Sequence, residues 1–241
     1  MVTLKMAIIF LMEQIRTPFS LIWTIMSPTV LFFFLHFNEI ELHYGDTAWL
    51  GKQISWFVGY ISFSVVLFNY CLYLVGRRES GFIATFVHNM DGRLLFIRSQ
   101  LIASLIMSIL YVFFFILVVL TGFQASPDYQ IVMIILKSIY INAFMMVSLT
   151  FMASFRVTFQ TASTIYSVLI TVCMVSRIVS LKYNEGIVYW INQVNPIAIY
   201  STILQSDQEL SLMTIFFYSI MLIISIISAL TFKTEPVWSS Q

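Results

Sequence analysis

Short polar side chains recur along this chain at helical spacing, within stretches that carry no charge. Ser20, Thr24 and Ser27 follow one another at i, i+4 and i+7; Ser62 and Asn69 share a face with Tyr73; Gln160, Thr164, Ser167 and Thr171 do the same further on. Hydroxyls and amides placed this way suit two kinds of chemistry. They can join helices, because Ser and Thr allow close approach and hydrogen-bond across an interface. They can equally line a shared path of mild polarity without fixed charge, which fits an amphipathic rather than an ionic molecule.

Covalent and ionic chemistry is poorly supplied. There is no paired Asp, no H-E-x-x-H and no Gly-x-Ser-x-Gly elbow, and no G-x-x-x-x-G-K-[ST] phosphate loop, so no catalytic, metal or cofactor site is expected. Any energy would have to come from another subunit. His36 and His43 fall in or near one loop and His88 in another, on the opposite side in the topology derived below, so they are not expected to share a metal. Cys71 and Cys173 sit in apolar stretches and imply no disulfide framework.

Uncharged windows occupy 17–38, 53–76, 99–127, 138–155, 157–176 and 210–232. A bilayer-crossing helix needs roughly 20 mainly apolar residues. All but the fourth window reach that length, and the fourth gains its missing turn by starting near Ile131, which places Lys137 close enough to one end to snorkel. With 60% hydrophobic and only 10% charged residues, the composition leaves too little polar surface for a soluble domain. Continuous rather than alternating apolar runs favour helices over a barrel. The expected fold is therefore all-α and polytopic, a single transmembrane domain over 1–241 with spans at about 18–37, 54–75, 100–121, 131–153, 160–178 and 211–232.

None of the eleven acidic residues falls in those spans. Ion-coupled carriers and proton pumps generally depend on intramembrane ionisable groups, so that class is disfavoured, with Lys137 the lone candidate. Basic residues orient the chain. With the N-terminus inside, Lys5, Arg16, Arg77, Arg78, Arg93, Arg98, Arg156 and Lys233 are inner, against Lys52, Arg177 and Lys182 outer, which puts both termini in the cytoplasm.

Between the spans, three segments stand out. Residues 1–17 place Leu4, Ile8, Leu11, Met12 and Ile15 at helical spacing with Lys5, Glu13 and Arg16 off that stripe, as expected of a helix lying on the membrane surface. No small-residue cleavage site follows, which argues against a removed signal peptide. The inner loop 76–99 opens Arg77-Arg78-Glu79-Ser80-Gly81 and continues with Phe82, Ile83, Phe86 and Val87, an apolar face suited either to anionic lipid or to the groove of a cytoplasmic partner. Residues 184–208 are uncharged over most of their length yet carry Trp190, Asn192, Gln193, Asn195, Pro196 and Gln205, dense polarity for lipid. An outer re-entrant hairpin broken at Asn195-Pro196 is expected there, with a seventh span as the rival.

In this layout the chain resembles the membrane subunits of type-2 ATP-binding-cassette (ABC) exporters. Those proteins have a surface helix at the N-terminus, six spans with both ends inside, an Arg-Glu-x-Gly coupling helix after span two, and an Asn-Pro hairpin before the last span. Here the matching elements are Met1 to Arg16, Arg78-Glu79-Ser80-Gly81 and Asn195-Pro196. One departure is Met90, where the family often has a proline.

The resemblance implies a permease subunit in a bacterial plasma membrane, surrounded by membrane lipid and working as a homodimer or heterodimer. Two copies of a separate cytoplasmic ABC ATPase would bind the ATP and couple through Arg77, Arg78, Glu79, Gly81, Phe82, Ile83, Phe86 and Val87. It also implies a pathway between spans one, two and five, where Ser20, Thr24, Ser27, Ser62, Asn69, Tyr73, Thr164, Ser167 and Thr171 lie. Expected cargo is a peptide, lipid or drug, with no nucleic acid involved. The competing expectation is a membrane-embedded immunity, sensor or scaffold protein that transports nothing.

Overall fold

Long apolar runs with no interior charge leave the backbone one way to satisfy its polar groups in lipid, and the chain takes it. The computed structural model describes residues 2–16, 18–83, 90–183, 185–205 and 212–230, without the side chains of 18–23, 181 and 213. Among the described residues it is all-helical, with no strand. Helix α1 spans Val2–Ile15 and α2 spans Pro18–Leu35. Thr47–Glu79 forms one long helix, α3, and Met90–Gly122 another, α4. Then come α5 (Tyr129–Ser154), α6 (Phe159–Lys182), α7 (Gly186–Val194), α8 (Pro196–Gln205) and α9 (Leu212–Leu230).

Among the described residues four helices are long and apolar enough to cross a membrane: Thr47–Glu79, Met90–Gly122, Tyr129–Ser154 and Phe159–Ser180. The first and last expected spans fall on α2 and α9, where Thr24–Leu35 and Thr214–Leu230 are shorter apolar helices. Helix α3 is the axis of the bundle. It is 72% buried along its most apolar stretch, against 22% for α6. Its N-terminus is capped by Asp46, which accepts from the Trp49 amide at 3.0 Å. Over Val65–Leu72 it widens into a π-helix.

Hydrogen bonds between helix ends sort the bundle into two ends. At one, which we call the arginine end, Arg78 bonds the carbonyls of Ala153 and Val157, Arg93 that of Leu230, and Arg77 pairs with Glu13. At the other, the hairpin end, Gly45 bonds Phe123, Thr47 bonds Asp128, and Gln205 bonds the Lys52 carbonyl. An aromatic cluster fills the bundle near the hairpin end, with Phe32 edge-on to Phe57 at 4.9 Å and to Phe115 at 5.7 Å.

Helix α1 lies along the start of α4 with Ala7, Phe10 and Gln14 turned inward; Phe10 meets Phe96 edge-on at 5.5 Å. The apolar stripe expected to face the membrane, including Leu4, Ile8, Met12 and Ile15, is exposed on the other side. The two faces of α1 thus have separate tasks. One packs on protein, while the other is left uncovered by the described residues.

Candidate functional site

A cleft of about 620 Å³ opens between α2, α3 and α6. Thr24, Ser27 and Pro28 line it from α2; Tyr60, Ser64, Phe68, Asn69 and Leu72 from α3; Ser163, Ser167, Ile170 and Thr171 from α6. No charged side chain is among them. Pro28 interrupts the α2 hydrogen-bond ladder at this level, since it has no N–H to donate. On α6, Ser167 donates to the Ser163 carbonyl and Thr171 to the Ser167 carbonyl, both at 2.8 Å. Each hydroxyl hydrogen is therefore turned back onto the helix, so these side chains offer oxygen lone pairs to the cleft.

Asn69 sits within the π-helical stretch. Its Nδ2 donates to the Tyr111 hydroxyl at 3.3 Å, and its carbonyl accepts from Gln100 Nε2 at 2.7 Å and Ser104 Oγ at 3.0 Å. Widening a helix displaces carbonyls from their usual partners. Here side chains from α4 take up one of them and hold the widened turn in place.

Of the residues expected on the path, Thr24, Ser27, Asn69, Ser167 and Thr171 line this cleft together. Ser62 does not, being fully buried in the core. Its expected alignment with Asn69 assumed an unbroken α-helix, but the extra residue taken up by the π-turn shifts the phase by up to about 100°. Tyr73 lies toward the arginine end, donating to Glu13 Oε2 at 2.6 Å. Thr164 is exposed outside the cleft lining and donates to the Gln160 carbonyl, and the Ser20 side chain is outside the described residues.

The expectation missed Tyr60, Ser64, Phe68 and Leu72, which follow at strict four-residue intervals, and Ser163, four residues before Ser167. That spacing was visible in the sequence. In a straight α-helix it drifts about 40° per step, and the widened turn absorbs part of the drift.

At the arginine end, the two adjacent arginines differ. Arg77 pairs with Glu13, donates to the Tyr73 hydroxyl at 2.8 Å and lies 4.8 Å over the Phe82 ring. Arg78 is only 1% exposed; its Nη1 and Nη2 donate to the Ala153 and Val157 carbonyls, each at 3.0 Å, with Glu79 beside it at 3.7 Å. Gly81 adopts φ +72°, a conformation glycine takes at no cost, and so ends the helix. Ile83 is fully buried, so its side chain holds the loop to the bundle instead of facing outward. Phe86 and Val87 lie outside the described residues.

At the hairpin end, α7 and α8 meet at Asn195-Pro196. The Asn195 amide donates to the Cys173 carbonyl at 2.8 Å and to Ser176 Oγ at 2.7 Å, while its Oδ1 accepts from the Ile197 amide at 3.0 Å. One side chain thus caps α8 and ties it to α6. Tyr200 on α8 donates to Asn142 Oδ1, and Asn142 to Ser108, in a fully buried chain joining α8, α5 and α4. In the nearby loop the Trp49 backbone N–H holds the Asp46 carboxyl below its usual value. Among the described residues no three or more His, Cys, Asp or Glu side chains converge closely enough to hold a metal. The sequence matches no family model.

Proposed function

We propose that this protein is the permease subunit of an ATP-driven exporter of the type-2 ABC kind, moving an amphipathic or hydrophobic cargo across a bacterial plasma membrane. On this reading α2, α3, α4, α5, α6 and α9 are six spans, α1 rests on the inner surface, and α7 and α8 form a re-entrant hairpin on the outer side. The arginine end faces the cytoplasm, in keeping with its basic residues. Two such chains, alike or different, would each engage a separate ATPase subunit through the loop after α3.

The observation that carries this reading is the uncharged, polar-lined cleft between α2, α3 and α6. Lipid gives no partner to hydroxyls and amides, so such a lining calls for protein, water or cargo to cover it. Its outward lone pairs on α6 suit a cargo that brings donors, such as amides or hydroxyls. Arg77 and Arg78 supply the mechanical link. A shift of the loop would pull on α1 through Glu13 and on the α5–α6 turn through the Ala153 and Val157 carbonyls.

The test is purification with any ATPase that travels with the chain, followed by Thr171→Phe and Asn69→Leu in the same complex. Cargo-stimulated hydrolysis, assayed with a panel of amphipathic peptides and lipids, should fall while basal hydrolysis and melting temperature persist. Parallel loss of stability and turnover would make the cleft a packing seam. Absence of any associated ATPase would favour the immunity, sensor or scaffold alternative.

A further inference from the structure

Arg177 stands at the hairpin-end rim of the cleft between α2, α3 and α6. It lies on α6 seven residues beyond Ile170, a lining residue, so the two share a face to within about 20°. Side chains on a helix lean toward its start. The start of α6 adjoins Val157, whose carbonyl Arg78 holds at the arginine end, so Arg177 leans back over the cleft mouth. Its Nε is buried, which keeps the side chain against protein and out of the surroundings.

The guanidinium is not spent inside the described fold. Nε has no hydrogen-bond partner, and no carboxylate pairs with Arg177 among the described residues. Arg78 and Arg93 also leave Nε bare, yet their terminal nitrogens donate to carbonyls. The polar side chains beside Arg177 are engaged elsewhere. Ser176 donates to the Cys173 carbonyl and accepts from Asn195, while Ser180 donates to the Arg177 carbonyl and to Asn192 Oδ1. A charge held half-buried without a partner destabilises a fold, so its use lies in what can come to pair with it.

The α6 wall of the cleft says which anion fits. Ser163, Ser167 and Thr171 recur every four residues, about 6 Å along the axis, and the last two turn oxygen lone pairs to the cleft. The N–H groups on one edge of an extended peptide recur every two residues, about 6.6 Å apart. An acyl chain has no such donors. From Ser163 to Arg177 is about 21 Å along the helix, or about 16 Å once the arginine's lean of one turn is taken off, the reach of five or six extended residues. We propose that the cleft binds a short extended peptide, its amides donating to the α6 hydroxyl oxygens and its C-terminal carboxylate forked by Arg177. The proposal rests on the reading of this cleft as the cargo site and names the cargo as a peptide acid.

The purified chain would be titrated with a dansyl-labelled pool of apolar hexapeptides, once as free acids and once as C-terminal amides. The acids should bind at least about tenfold more tightly. Arg177→Met should remove that preference, and Arg177→Lys, charged but not forked, should keep only part of it. Thr171→Phe should weaken both forms alike. Removing an unpaired charge should not lower the melting temperature, so the acid-to-amide ratio of Arg177→Met is read on folded protein. Equal binding or no binding of the two forms, or a preference that survives Arg177→Met, would overturn the site. So would a tenfold gain in acid binding on Glu185→Gln, Asp207→Asn or Glu209→Gln, which would mean that the arginine is already paired within the chain. Displacement of the peptide by equimolar dioleoyl-phosphatidylglycerol but not dioleoyl-phosphatidylcholine would make the occupant a lipid and overturn the peptide assignment. Binding is read without an ATPase, so acid-selective binding in a chain with which no ATPase travels would keep the site and remove only the transport reading.

Discussion

Arg77 and Arg78 are neighbours in sequence with unlike duties. Consecutive residues on a helix point about 100° apart, so one of the pair had to turn toward the bundle. The sequence offered no way to tell which. Packing decides it: Arg78 reaches two carbonyls at the α5–α6 turn that nothing shorter or less forked would reach together. Arg78→Lys replaces two separated nitrogens by one on a shorter side chain that cannot hold both carbonyls in the present geometry, and a buried carbonyl left without a partner costs about 1 to 3 kcal/mol. The melting temperature of the purified variant in detergent should drop accordingly. An unchanged melting temperature combined with weakened ATPase binding would instead make Arg78 a docking residue.

At the scale of helices, existence was easier to read than extent. Charge-free windows located the elements, yet α3 runs over Thr47–Glu79 and α4 over Met90–Gly122, each 33 residues, well beyond the expected 54–75 and 100–121. A charge ends a stretch that lipid will tolerate, but it does not end a helix, because Lys, Arg and Glu are good helix formers. The approach of α8 to α3 was not legible at all. It depends on Gly59, where a Cβ would stand 2.8 Å from Tyr200 Cβ and 3.0 Å from the Ile197 carbonyl. Gly59→Ala should therefore lower the melting temperature, the overpacking cost of about 1 to 3 kcal/mol exceeding the helix-propensity gain of up to about 1 kcal/mol. Gly51→Ala meets only ordinary contacts and should be neutral or stabilising. The same sign for both would mean that close approach is not what requires glycine at 59.

For the whole molecule, the pairing of helix ends places Asp46 and Ser80 at opposite ends of the bundle, both exposed. The native thiols Cys71 and Cys173 are buried and give little background. With Asp46→Cys, an impermeant maleimide should label intact cells. With Ser80→Cys, labelling should require permeabilisation if the arginine end is the inner one, as the positive-inside rule expects. The reverse pattern would invert the protein in its membrane. The expected sidedness rests on counting charges alone, and this labelling is its test. The cleft was harder because it depends on rotational phase along α3, which one widened stretch alters.

That stretch has a bearing on descent. A π-turn holds one residue more than the α-turn it replaces, so α3 behaves as two helical phases joined within Val65–Leu72, the arrangement that one inserted codon would produce. A relative lacking that codon could keep both helix ends in place. Its Tyr73, Arg77 and Arg78 equivalents would then sit one position earlier, and Gln100 and Ser104 would have no widened carbonyl to hold. Aligning such a pair without a gap would match residues about 100° apart around the helix. Here the correct correspondence follows the clamp on the Asn69 carbonyl, and a count along the chain would miss it.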